Sequence, residues 1–473
     1  MFDYCVVGGG IVGTAIFNKL TRLGKSVALV EIQNDVGFGA SRANTALIHS
    51  GIDCKPNTLK AKLNVRGNQL YPEIAKRLGV KLVQNGHLIV GNDQDKLNNL
   101  IARAKENGVA GVKLLLKSQL HKMEPNLSDS IEMGLYIPSG GMISSYNLAV
   151  AFAEEAVVNG GQVFLEFDTK TIDETDLGFM LTSKDKRTLE TKVLINACGA
   201  GFNKINKLLK AETYDLLFRR GEYYLLDRSA GNFVGHPIFP LPTDVSKGIL
   251  VSPTVHGNIM VGPTSTLSDA LPITTAEDLT KIKTEVNSTF TNVPFKENIR
   301  VFSGVRTISG DDFIIEKSKK VNNLINVAGI CSPGLSSAPA IAEMIAEMVG
   351  LDANDEVKDL KSRKIPIHLN ELTIEEQNKI IEQNPDYGKV VCRCENISLG
   401  EIKDCINSPI PVNSVDAVKR RTRAGMGRCQ GGFCIFSVME ELAKNNNIKF
   451  NKVLKDGVGS KILKSQIKPT KRG

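Results

Sequence analysis

Short apolar runs closed by glycine recur up to Gly350 of this 473-residue chain, and a charge-rich, amphipathic pattern takes over beyond it. Asp3–Val7 reads as a buried strand, and the residues after Gly13 repeat their apolar positions at helical spacing. Ser26–Val30 is a second strand and ends in Glu31. Residues 193–201, VLINACGAG, form another strand. Residues 324–346 run from a strand through a Gly- and Pro-rich turn into a helix, and GEYYLLD and GNIMVGP are strand-like. Residues 351–370 are charged and carry Pro366, the composition of a linker. Thr373 with Glu376, and Ser398 with Glu401, frame capping boxes that each open a helix.

The first strand, turn and helix carry Gly8, Gly10 and Gly13 as G-x-G-x-x-G, with Ile11 and Val12 opening the helix. Gly8 permits the tight turn, Gly10 lets the backbone approach a pyrophosphate, and Gly13 lets helix and strand pack closely. The helix N-terminus faces the anion, and Glu31 accepts the ribose hydroxyls. The frame points to a dinucleotide without choosing between FAD and NAD.

Length calls for two or three domains, since a single core stops growing well below 473 residues. A hydrophobic content of 42% and a charged content of 23% are ordinary for a globular protein. The net charge of +8 is modest and partly sits in KILKSQIKPTKRG, so a nucleic-acid role is not expected. The start reads as a strand and not a signal peptide, and no apolar run reaches membrane-span length. A cytoplasmic protein is expected, with peripheral association at the inner face of a membrane left open. Its nine cysteines are then reduced or metal-bound.

Residues 37–51, GFGASRANTALIHSG, resemble the second FAD contact of the glycine oxidase and D-amino-acid oxidase-like flavoproteins. The resemblance implies flavin contacts from Ser41, Asn44, Thr45 and Ala46, and from Ala197 and Gly199 in VLINACGAG. It also implies contacts around Gly329, Gly334, Leu335 and Ser336, where a helix N-terminus aims N–H groups at the flavin pyrimidine edge. Within that superfamily IHSGIDCKPNTLKAKLNVRGN, PSGGMISSYNLAVAFAE, RRGEYYLLD, KGILVSPTVHGNIMVGPT and FSGVRT are most similar to FAD-dependent glycerol-3-phosphate dehydrogenases and oxidases, then to L-2-hydroxyglutarate oxidases. The likeness places His49 beside the flavin, Arg306 on the substrate anion and Lys247 as a further substrate contact. Chemistry agrees. Oxidising a secondary alcohol needs a base for the hydroxyl proton, a task suited to His, and Arg offers a bidentate fork to a phosphate or carboxylate. Cys54 and Cys331 stand where relatives often carry other residues.

Near the C-terminus Cys392 and Cys394 form C-x-C, and Cys429 and Cys434 are four residues apart. Such pairs suit a [2Fe–2S] cluster or a zinc ion, and spacing alone does not separate them. Residues 387–443 resemble the bacterioferritin-associated ferredoxin-like [2Fe–2S] domain. Lys419, Arg420, Arg421, Arg423 and Arg428 are expected to offset the cluster's negative charge, which favours the cluster over zinc.

The expected fold is α/β: a Rossmann-type FAD-binding domain with an inserted α+β substrate domain, plus a small helical [2Fe–2S] domain. The FAD part spans about 1–80, 140–205 and 300–352, and the substrate part about 81–139 and 206–299. A linker, 353–385, leads to the [2Fe–2S] domain, 386–450, and a basic tail, 451–473. The expected reaction is oxidation of sn-glycerol 3-phosphate to dihydroxyacetone phosphate. Its expected electron partner is a second flavoprotein or an iron–sulfur subunit feeding quinone. The rivals are a 2-hydroxy acid such as L-2-hydroxyglutarate as substrate, and a non-catalytic electron-transfer or zinc-scaffold subunit.

Overall fold

The computed structural model describes residues 1–241 and 248–465. Its first strand, Phe2–Val7, runs parallel to Val27–Val30 on one side and to Thr188–Asn196 on the other, with Tyr4 level with both Val27 and Val193. Leu324–Ala328 joins Thr188–Asn196, again in parallel. Parallel neighbours need crossover connections, and the helix Ile11–Arg22 is the one between the first two strands. Gln162–Phe164 joins Val27–Val30 in parallel, and three strands paired antiparallel bring the sheet to eight among the described residues.

The helices Ile11–Arg22, Leu59–Leu78, Ser145–Val158 and Gly334–Met348 bury Phe17, Tyr71, Phe152 and Ile341 in one core with the sheet. The crossing of Leu59–Leu78 with Gly334–Met348 is tight. A Cβ on Gly67 would stand 2.0 Å from the carbonyl oxygen of Ser336, so only glycine lets these backbones meet.

A second sheet, nine-stranded among the described residues, is mostly antiparallel. Its longest pair, Leu217–Leu226 with Asn298–Ile308, sets Arg219 opposite Arg306, Gly221 opposite Gly304 and Tyr223 opposite Phe302. Strand alternation turns Arg220 and Glu222 to the other face, where Arg220 pairs with Glu222 and with Asp278, each at 3.0 Å.

The charged stretch after Gly350 is not free chain. Glu356 pairs with Lys19 and Arg22, and the buried Arg363 pairs with Glu154 and donates to the carbonyl of Leu78. The charges of the stretch expected as a linker pair with the larger domain. The capping boxes form as expected, opening the helices Ile374–Gln383 and Leu399–Ile406. The latter packs with Val415–Thr422 and Ile435–Asn445 over Ile402, Val418, Val438 and Leu442. Among the described residues no helix is long and apolar enough to cross a membrane.

Candidate functional site

The parallel strands of the first sheet end at one elongated cavity of about 1190 Å³, whose opposite wall is the second sheet. Gly8, Glu31, Ala197 and Ile330 line it just beyond the ends of four such strands. This is where an open parallel sheet holds its ligand.

At one end Gly8, Gly10, Ile11 and Val12 form the floor. Gly8 has φ +113°, and a Cβ there would meet the Ala197 carbonyl oxygen at 2.6 Å. Gly10 caps the helix with no side-chain cap hydrogen bond, and a Cβ on it would find only the Ser41 hydroxyl, at 3.2 Å. The Glu31 carboxylate accepts from the N–H groups of Gly9 at 2.7 Å and Gln33 at 2.9 Å, and its burial raises its pKa. Gly13 stays out of the cavity. A Cβ there would lie 1.9 Å from the Gly8 carbonyl oxygen. Gly13→Ala therefore pushes the helix off the turn, at an overpacking cost of about 1–3 kcal/mol. The purified variant is expected to lose its bound flavin, read as the ratio of visible to ultraviolet absorbance.

The loop Ser41–Ala46 forms one side of the cavity. Asn44 ties it together, donating to the carbonyls of Ala40 and Ser41 and accepting from the Ala46 N–H at 2.7 Å. Ala43 lies against Gly304, where a Cβ would come within 1.9 Å of the Ala43 oxygen. Thr45, Gly199, Gly334 and Leu335 also line the cavity. Gly329 and Ser336 do not. Gly329 occupies a left-handed turn at φ +64°. The buried Ser336 hydroxyl accepts from the His49 N–H at 2.7 Å and donates to the Leu47 carbonyl at 3.3 Å.

His49 is half-buried in the cavity wall. Its carbonyl accepts from Asn68 at 3.1 Å, so both of its backbone polar groups are held. Its ring stands 6.0 Å from that of His87 and 5.9 Å from that of Phe239. His87 had no signal in the sequence. It is buried, bonds through Nε2 to the Gly141 carbonyl at 3.1 Å, and burial lowers its pKa to about 4. A carbonyl only accepts, so the neutral ring carries its proton on Nε2.

Arg306 lines the cavity with Arg219 directly across the ladder. Arg306 donates from Nη2 to the Thr264 carbonyl at 3.2 Å, while its buried Nε has no partner among the described residues. Arg219 donates from Nη1 to the Ser265 carbonyl at 3.3 Å. Like charges directly opposite repel, and an anion between them reverses the balance. Lys247 lies outside the described residues.

The four cysteines stand as two pairs. Cys392 and Cys434 are buried and hydrogen-bonded to each other, whereas Cys394 is exposed and 3.5 Å from Cys429. The bond with Cys434 is the main cause lowering the Cys392 thiol to about 6. Cys434 caps the helix Ile435–Asn445, and as the donor to Cys392 its own pKa is pushed up. Cys405 packs at the edge of the module core. The basic run takes a different part from the one expected of it. Arg421 pairs with Asp35 at 2.6 Å, Arg420 with Asp456 at 2.8 Å, Arg423 with Glu395 at 2.7 Å, and Arg428 with Glu297. These four are matched by carboxylates and leave little charge for a cluster.

The model of the FAD dependent oxidoreductase family matches residues 3–348. The chain belongs to this family. A BFD-like [2Fe-2S] binding domain matches residues 390–444 of the same flavoprotein. Glycerol 3-phosphate dehydrogenase of Caloramator mitchellensis is 40% identical over 474 residues, 98% of each chain. Glycerol 3-phosphate oxidase of Mycoplasma genitalium is 30% identical, covering 74% of this chain and 94% of its own. The solved structure of dithionite-reduced L-alpha-glycerophosphate oxidase from Mycoplasma pneumoniae with FAD bound superposes with a TM-score of 0.71 at 27% identity, covering 76% of this chain and 97% of that one.

The residues present fit both groups of this flavoenzyme. The uncapped helix start and the bare Gly10 leave room for a pyrophosphate, and the cavity is long enough to continue from there to His49 and the arginine pair. Among the described residues no three metal-ligating side chains converge on one point. Two thiol pairs supply two thiolates for each iron of a binuclear cluster.

Proposed function

We propose that this enzyme oxidises sn-glycerol 3-phosphate to dihydroxyacetone phosphate and passes the electrons out through its [2Fe–2S] centre to a protein partner, a second flavoprotein or an iron–sulfur subunit feeding quinone. The observation that carries the reading is the arginine pair on the cavity wall, with its orphaned Nε. A phosphate offers acceptors to both forks at once. The relative matching the whole chain bears the name glycerol 3-phosphate dehydrogenase, which supports the same substrate.

Bound FAD supplies a hydride acceptor, and the cluster supplies one-electron transfer. The chain's residues do the rest. Arg306 and Arg219 hold the substrate phosphate at the cavity wall. His49 takes the hydroxyl proton, and the neutral His87 and Phe239 flank its ring and limit water beside it. The Cys394–Cys429 pair, with Cys394 exposed, Cys429 half-buried and Phe433 85% exposed between Cys429 and Cys434, is the edge at which electrons leave.

Arg306→Lys tests the anion site. Losing a bidentate, charge-assisted contact of about 1.5–3 kcal/mol should raise KM for glycerol 3-phosphate roughly 10–100-fold. The saturating rate of flavin bleaching and the flavin content should hold. A KM equal to that of the unaltered enzyme would take Arg306 out of the site.

A further inference from the structure

Part of the face joining the iron–sulfur module to the larger domain falls on the loop 31–42, whose other side forms part of the cavity wall. Asp35, in the middle of that loop, is fully buried. Its two carboxylate oxygens accept from Nη1 and Nη2 of Arg421 at 2.6 and 2.7 Å, and one also accepts from the Tyr146 hydroxyl at 2.5 Å. Arg421 reaches it from the helix Val415–Thr422 of the module. Phe38, which lines the cavity, lies under Arg420 at 5.2 Å. Asp456, beyond the module core, takes Arg42 at 2.6 Å, and its carbonyl takes Asn34. Four residues of the loop are thus gripped by Arg420 and Arg421 of the module and by Asp456 of the tail that follows it.

A buried carboxylate without its cation is strongly disfavoured, so Asp35 cannot keep this position unless Arg421 is seated. Asp35 is also joined to the nucleotide turn, since its Oδ1 accepts from the Val36 N–H and the next N–H, of Gly37, donates to the Gly9 carbonyl at 2.8 Å. We propose that the iron–sulfur module clamps the dinucleotide site, with Arg421 acting through Asp35 as the positioning residue that holds the loop 31–42 in its FAD-binding form. Seating of the module and affinity for FAD are then two ends of one coupling, and each strengthens the other equally.

The test compares full-length variants for FAD affinity, read from released-flavin fluorescence, with cluster absorbance and the melting temperature recorded alongside. Arg421→Met is expected to raise the Kd for FAD roughly 5–150-fold, the span of ordinary intersite coupling, with the cluster spectrum retained. Arg421→Lys, which keeps the charge but loses the fork, should recover part of that loss. Tyr146→Phe removes the hydroxyl that donates to Asp35 and accepts from Arg421, should raise Kd about fivefold or more, and serves if Arg421→Met does not fold. Arg363→Met is the matched control: it breaks the buried pair with Glu154, away from the loop. It should lower the melting temperature and leave Kd unchanged. An unchanged Kd in the folded Arg421 and Tyr146 variants overturns the proposal. So does a rise in Kd that Arg363→Met shares in proportion to its loss of melting temperature.

Discussion

His49→Ala is expected to slow substrate-driven bleaching of the flavin by roughly 10²–10⁴-fold, the usual worth of a positioned general base. The loop that carries His49 should survive the change. Its N–H is held by Ser336 and its carbonyl by Asn68, which also donates to the Ser139 carbonyl at 2.8 Å. These contacts involve the backbone, so alanine keeps them. His87 cannot take over, because its burial keeps it neutral down to about pH 4 and its Nε2 proton is committed to Gly141. Stopped-flow traces of the variant under anaerobic conditions, taken across pH, should be slow and should lose the ionisation of the base from the profile. A rate and profile like those of the unaltered enzyme would make His49 a structural residue.

Cys429→Ser should divide the catalytic cycle. Cys429 lies in the C-terminal module, whereas His49, Arg219 and Arg306 line the cavity of the larger domain. Flavin bleaching by substrate should stay within about twofold of the unaltered rate, since no group touching the substrate changes. Reoxidation by the physiological acceptor should fall to background, because hydroxyl oxygen is a poor replacement for a soft thiolate on iron. Iron and acid-labile sulfide should be lost from the variant in equal amounts. Normal turnover with the acceptor in a cluster-free variant would remove the module from the electron path.

The parts of the site legible in the sequence were those with a local geometric necessity. Gly8 and Gly13 sit where a side chain would collide with backbone, so the turn shows in the spacing alone. The four cysteines show by their spacing, but the structure pairs Cys392 with Cys434 and Cys394 with Cys429, across the two sequence pairs. Arg219 and Arg220 are neighbours, and only strand register decides that the first faces the cavity while the second pairs inside the sheet with Glu222 and Asp278. His87 meets His49 across 37 intervening positions, through tertiary packing that leaves no local pattern. The run Lys419–Arg428 was legible as charge and misleading as to its target, because the partner of Arg421 is Asp35, 386 residues away. Long-range ion pairs of this kind also turned the charged stretch after Gly350 from an expected linker into a strap fixed by Arg363 and Glu356.

The most direct measurement is an anaerobic titration of the purified holoenzyme, followed by flavin absorbance and by EPR of the cluster, with glycerol 3-phosphate, L-2-hydroxyglutarate and amino acids in parallel. Full bleaching by glycerol 3-phosphate is expected, followed by the signal of a reduced [2Fe–2S] centre, with little response to the other compounds. Bleaching by 2-hydroxyglutarate or an amino acid in place of glycerol 3-phosphate, or a bleached flavin beside a cluster that stays oxidised, would contradict it.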